Sequence, residues 1–177
     1  MPNLEGPVEE IAPRLVGATL ETRIDGLHTA VVLVEVEAYA ESDPASHSFG
    51  GMTDRNRSMF GPAGTIYVYR SYGVHWCANL VTGEEGRGEA ILLRAGRPVA
   101  GVEVMRRRRG RKDHLADGPG KLAQALGLGG EHDGVVLGDL VDLVAADREP
   151  QIIATPRIGI SKAVDTPWRF VEVQMVG

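Results

Sequence analysis

Glu35 and Glu37 stand two residues apart in the run Val34-Glu35-Val36-Glu37-Ala38-Tyr39. A carboxylate held against a substrate can act as a general base and take a proton from water. Further on, Thr65–Asn79 gathers Tyr67, Tyr69, Tyr72 and Trp76, four of the nine aromatic residues in the chain. Tyr39 is the one tyrosine outside that stretch. Flat π surfaces beside a carboxylate suit an enzyme that holds a planar group, and a nucleobase is the leading candidate.

Strand alternation puts Glu35, Glu37 and Tyr39 on one face and Val34, Val36 and Ala38 on the other. Two readings fit that face equally: a solvated or ion-paired surface, or a base poised to activate water. Glu37 is favoured as the base because it neighbours Tyr39 and a glycine-rich loop through which a substrate could enter. Tyr67 and Tyr69 share a strand face, where aromatics are ordinarily packing residues. Tyr72 differs, because it falls at a turn between two apolar strands and projects beyond the sheet. Such a ring is a candidate wedge into a partner. His47 reads as a surface residue on its own. No second His or Cys gives it metal-ligand spacing, so no metal is expected. Arg94 ends the apolar run Ile91-Leu92-Leu93 and can hold Glu35 or Glu37 ionised. Asn79 reads as a polar strand end.

These residues need elements to present them. The spacing of Val8, Ile11, Ala12 and Leu15 predicts a helix over 5–16. Strands are expected at 18–23 and 28–39 around the Asp25-Gly26 turn. Residues 40–64 form a long loop, a length more often functional than not. A hairpin of strands 65–70 and 74–81 follows, then a strand at 90–95 and a helix at about 99–109 opened by Pro98. Gly118-Pro119-Gly120 introduces a helix over 121–126. Short strands are expected at 135–137, 141–144, 152–154 and 169–174. The expected fold class is α+β: residues 1–177 as one mixed domain with a curved, mostly antiparallel sheet, flanking helices and a protruding β-hairpin.

At 177 residues the chain can bury a sound core. No apolar run approaches the roughly 18 residues of a membrane helix, and no basic region precedes an apolar stretch at the N-terminus, so neither membrane nor secretory signal is expected. Cys77 is the only cysteine, which excludes an internal disulfide and any cysteine-held metal. A reducing cytoplasm is the expected compartment. The net charge of −5 argues mildly against nucleic acid. Arg106–Lys112, with six cations in seven positions, softens that objection, although such a run is more often a solvated face.

Taken in order, these segments resemble the alkyladenine (3-methyladenine, or methylpurine) DNA glycosylase family. The resemblance is carried by Val34–Tyr39, Ser46-His47-Ser48, Arg55–Phe60, Pro62–Tyr69, Tyr72–Asn79, Ile91–Ala95, Gly118–Leu122, Pro156–Ile160 and Pro167–Phe170. It spans about Pro13 to Glu172, and the joint order is far more specific than any one segment. The resemblance implies that Glu37 is the catalytic base, activating water against C1′ of the damaged nucleotide, and that Arg94 helps position this water. It implies that Tyr39, His47 and Tyr69 enclose a flipped base and that Asn79 at the pocket floor excludes wrong exocyclic groups. Tyr72 would enter the minor groove and fill the gap left by the extruded nucleotide. Ile158 and Gly159 fall where the backbone approaches the water and the DNA.

The implied enzyme is monofunctional, since no lysine is expected in the pocket to form a Schiff base, and it needs no cofactor. Its implied partner is double-stranded DNA carrying alkylated or deaminated purines. It is expected to act as a monomer in the cytoplasm, at the nucleoid in a bacterium. Two features depart from the pattern: Met52 and Asp54 in the loop Gly50–Arg55, and the acidic segment 131–149. Both bear on DNA affinity and its salt dependence. Two rivals remain: a non-catalytic single-strand binder stacking bases on Tyr67, Tyr69, Tyr72 and Trp76, and a hydrolase of free nucleosides.

Overall fold

The computed structural model describes residues 1–173. In chain order the elements are α1 (Val8–Leu15), β1 (Thr19–Ile24), β2 (Leu27–Tyr39), β3 (Ile66–Ser71), β4 (His75–Val81), β5 (Ala90–Ala100), α2 (Val102–Arg109), α3 (Pro119–Leu126), β6 (Val141–Val144), β7 (Ile152–Thr155) and β8 (Arg169–Glu172). Short 3₁₀ turns lie at Arg57–Phe60 and Gly130–His132. Among the described residues all eight strands join one antiparallel sheet, in the order β3-β4-β5-β2-β1-β6, with the β7–β8 hairpin attached to β2. The α+β class, the curved sheet and the hairpin expected from the sequence are all present.

The two faces of the sheet do different work. Val31, Leu33, Val36, Ala38, Ile66, Val68, Ala78, Leu80, Ile91 and Leu93 join the main core with α1 and α3. On the other face stand Glu35, Glu37, Tyr39, Tyr67, Tyr69, Cys77, Asn79, Leu92 and Arg94. Irregular pairing between β2 and β5 makes this separation possible. Leu33 lies opposite Gly96, Glu35 opposite Ala95 and Val36 opposite Leu93, so Val34 and Arg94 each occupy a bulge with no opposing residue. Strict alternation from Val31 and Leu33 would send Glu35 and Glu37 into the core. The bulge at Val34 resets the parity and turns both acids to the polar face.

Both tight hairpins have positive φ at their two central residues: Asp25 (56°) and Gly26 (71°), then Tyr72 (49°) and Gly73 (66°). That is the type I′ geometry that matches strand twist. In the second hairpin the Val74 N–H donates to the Ser71 carbonyl at 3.0 Å. Asp and Gly suit these positions, but a tyrosine at positive φ costs about 1–2 kcal/mol.

The expected helix at 99–109 begins at Val102, because β5 continues through Pro98 to Ala100. β4 pairs only with Ala90–Leu92, so Pro98, opposite Val31 of β2, lies where the other edge of β5 is open and a missing N–H does no harm. Gly101 makes the switch to α2 at φ 67°, and a Cβ there would lie 2.2 Å from the His28 carbonyl oxygen. The expected strand at 135–137 is one bridge, Thr65 to Val136. Of the last expected strand, Gln174 lies outside the described residues.

Part of the arginine run is structural. Arg108 donates through Nη1 to the Ala125 carbonyl at 3.1 Å and through Nη2 to the Ile24 carbonyl at 3.3 Å. It thereby satisfies a carbonyl at the C-terminal end of α3. Arg109 bonds the Gln124 side chain, and Arg106 pairs with Glu103. Arg108→Met should lower the melting temperature by about 2–6 °C, the loss expected from about 1–2 kcal/mol of hydrogen bonding. An unchanged calorimetric transition would show that these bonds contribute nothing.

Candidate active site

A cavity of about 560 Å³ opens on the polar face of the sheet. Its lining includes eight of the residues singled out in the sequence: Tyr39, His47, Tyr69, Tyr72, Asn79, Arg94, Ile158 and Gly159. Glu37 lies just behind them, with no exposed surface. Its Oε2 accepts the Tyr39 hydroxyl proton at 2.7 Å, and its Oε1 accepts the Ile158 backbone N–H at 2.8 Å. Arg94 Nε lies 3.6 Å from the same Oε1. A buried carboxylate is costly unless paired and hydrogen-bonded, and Glu37 meets both conditions. Tyr39, Arg94 and Ile158, its three partners, all face the cavity.

The two acids stand in different surroundings. Glu35 is the ion-paired one, with Oε1 accepting from Arg94 Nε at 2.8 Å and Arg169 Nε at 2.7 Å. Burial pushes its pKa up, but the hydrogen bonds and charges of Arg169 and Arg94 outweigh that and hold it below the ordinary carboxylate value. Arg94 is therefore anchored by Glu35 while it approaches Glu37.

The aromatic walls form a bonded set. The Tyr67 and Tyr69 rings stack with centroids 5.7 Å apart, and His47 meets Tyr69 edge-on at 4.5 Å. His47 Nδ1 lies 3.0 Å from the Tyr67 hydroxyl. Burial, helped by the charge of Arg55, lowers the His47 pKa, which favours the neutral imidazole. Burial and the charge of Asp133 push the Tyr67 hydroxyl up to about 12. Burial, then the charge and hydrogen bond of Glu37, push the Tyr39 hydroxyl above its usual range. Both hydroxyls thus keep their protons at neutral pH. Asn79 is buried on the floor and donates through Nδ2 to the Tyr67 carbonyl at 3.0 Å.

Tyr72 stands apart at the hairpin tip, with 90 % of its surface exposed. Arg55, Arg70 and Lys162 add three cations to the cavity lining. Lys162 sits in an exposed stretch after Gly159. Among the described residues no cluster of His, Cys, Asp or Glu could hold a metal ion, and no helix is long and apolar enough to cross a membrane.

Sequence reasoning read Tyr67 as a packing residue, and it is 2 % exposed in a cluster with Met59, Phe60, Val81 and Ala90. It missed Asn56, whose buried amide donates to the His47 carbonyl at 3.0 Å and the Gly51 carbonyl at 3.1 Å and so folds the His47 loop. It also missed Arg157, which is buried against Asp43.

A pocket walled by aromatic rings, backed by a buried acid and rimmed by cations suits a protein that acts on nucleic-acid bases. The family model for methylpurine-DNA glycosylase (MPG) matches residues 3–175, and the chain belongs to that family. Among its relatives is a Rhodopseudomonas palustris (strain HaA2) protein, 54 % identical over 167 residues that span 92 % of this chain and 81 % of the relative. A Methanoculleus marisnigri protein is 50 % identical across 90 % of this chain and 87 % of its own length. One from Agrobacterium fabrum is 49 % identical across 91 % and 81 %. All three are named "Putative 3-methyladenine DNA glycosylase".

Proposed function

We propose that this DNA glycosylase removes alkylated purines, and deaminated ones, from duplex DNA by flipping the nucleotide into the cavity and hydrolysing the N-glycosidic bond with water activated by Glu37. The observation that carries this reading is the buried Glu37 carboxylate, hydrogen-bonded at both oxygens behind a cavity walled by Tyr39, His47 and Tyr69.

Water attacks C1′ as the bond to the purine nitrogen breaks, and the bonding electrons leave with the base. Glu37 takes the proton released by the water, while Arg94 and the Ile158 N–H hold the carboxylate and the water in line. Alkylation at N3 or N7 makes the purine cationic, so it departs as a neutral molecule. The same charge is attracted to electron-rich rings by about 0.5–2 kcal/mol each. Neutral His47 adds no opposing charge. Opening the duplex costs a few kcal/mol, least for a damaged or mispaired base, and Tyr72 offsets part of it by occupying the gap. Arg55, Arg70 and Lys162 at the rim suit phosphate.

The product is an abasic site. Lys162 is exposed at the rim, so borohydride trapping should yield no covalent protein–DNA adduct; a trapped adduct would overturn the monofunctional reading. The open-platform reading is weaker, because Tyr67 is only 2 % exposed. Asn79→Ala should raise excision of purines with an exocyclic amino group by about tenfold relative to hypoxanthine, roughly what one lost steric or hydrogen-bond discrimination supplies. An unchanged ratio on single-lesion duplexes would remove Asn79 as the filter. The function itself is tested by base release from lesion duplexes with and without Glu37→Gln; a protein that binds such duplexes but frees no base would refute it.

A further inference from the structure

Arg157 lies one residue before Ile158, between β7 and β8, and its side chain has no exposed surface. The guanidinium reaches Ala38, Tyr39, Asp43 and Trp168. Nη1 donates to the Ala38 carbonyl at 2.9 Å, and both terminal nitrogens pair with Asp43, with Nη2 at 3.2 Å from Oδ1. Its carbon Cζ sits 4.7 Å from the centre of the Tyr39 ring and 5.5 Å from that of Trp168. Tyr39 lines the cavity and Arg157 does not, so the guanidinium covers the ring face turned away from a substrate. Its Nε has no partner among the described residues.

Both hydrogen bonds to Glu37 come from groups that Arg157 holds. The Tyr39 hydroxyl reaches Oε2 from a ring resting on the guanidinium, and the Ile158 N–H reaches Oε1 from the next residue along the chain. Arg157 itself touches neither carboxylate oxygen. We propose that Arg157 is a positioning residue for Glu37: it ties the end of β2, the Asp43 loop and the 157–158 segment into one frame that fixes both oxygens of the carboxylate. This rests on the reading of Glu37 as the base.

The test is single-turnover base release from duplex DNA, read beside duplex affinity. Arg157→Met should slow release of hypoxanthine by about 10–100-fold, the usual consequence of misplacing a catalytic group by about an ångström, while duplex affinity stays within about threefold. Arg157→Lys should recover part of the rate, because an ammonium can meet Asp43 but cannot form the planar fork. In the Glu37→Gln background, read on 7-methylguanine, adding Arg157→Met should cost less than about twofold, since no base remains to be positioned. Equal losses in both backgrounds, a loss confined to duplex affinity, or a parental rate for Arg157→Met would each overturn the proposal. If Arg157→Met does not fold, Asp43→Asn is read by the same measurements. Should Glu37→Gln keep the parental rate, the base assignment itself falls; should it lose the rate while Arg157→Met does not, only the present proposal falls.

Discussion

Glu37→Gln should release hypoxanthine from duplex DNA about 10²–10⁴-fold more slowly than the parent, the range general-base catalysis supplies. The substitution is nearly isosteric, so the side chain still fills its buried site. The amide oxygen can keep accepting the Ile158 N–H, now 2.8 Å from Oε1. What is lost is the charge facing Arg94, the acceptor for the Tyr39 hydroxyl at Oε2, and the ability to take a proton from water. The loss should be smaller on 7-methylguanine, whose own charge makes it a good leaving group. A Glu37→Gln protein that excises hypoxanthine at the parental rate would show that Glu37 is not the base. Retained melting temperature and duplex affinity separate lost chemistry from lost fold.

Tyr72→Ala should slow excision from duplex DNA by roughly 10–100-fold, the share of a few kcal/mol of unstacking cost that a filled gap would offset. Excision from single-stranded DNA, which has no opposing stack to hold open, should change by less than about threefold. The side chain is 90 % exposed, so its removal forfeits almost no packing. Alanine at φ 49° inherits the strain of tyrosine, so the melting temperature should not move. Equal losses on both substrates would count against a wedge.

Much of the site was legible because strand alternation is a strong signal. It grouped Glu35, Glu37 and Tyr39 correctly, and it paired Tyr67 with Tyr69. It did not reveal that the grouping depends on the bulge at Val34, since a bulge has no signature in a run of β-branched residues. The division of roles between the acids was also hidden: Glu35 takes Arg94 and Arg169, which lie 59 and 134 residues away in sequence. Such pairings are set by strand order, which local pattern does not carry. Pro98 misled because the same residue opens helices and tolerates unpaired strand edges. The arginine run was read as one surface, yet Arg108 bonds carbonyls of two other elements. Tyr72 stood out in the sequence as a tyrosine out of place at a turn, and its positive φ supplies the physical measure of that oddity.

β3 ends the strand order, and its outer edge is held by the Asp133 carboxylate, which accepts the Val68 N–H at 2.9 Å, and by the Val135 carbonyl, which accepts the Ile66 N–H at 2.6 Å. Tyr69, a wall of the cavity, and Tyr72, the hairpin tip, therefore belong to one tethered rod, three residues or about 10 Å apart. In the proposed reaction that rod is a covalent ruler, setting how far a nucleotide travels from the gap to the pocket. One residue inserted between Tyr69 and Tyr72 would lengthen the ruler and swing its tip to the other side of the sheet.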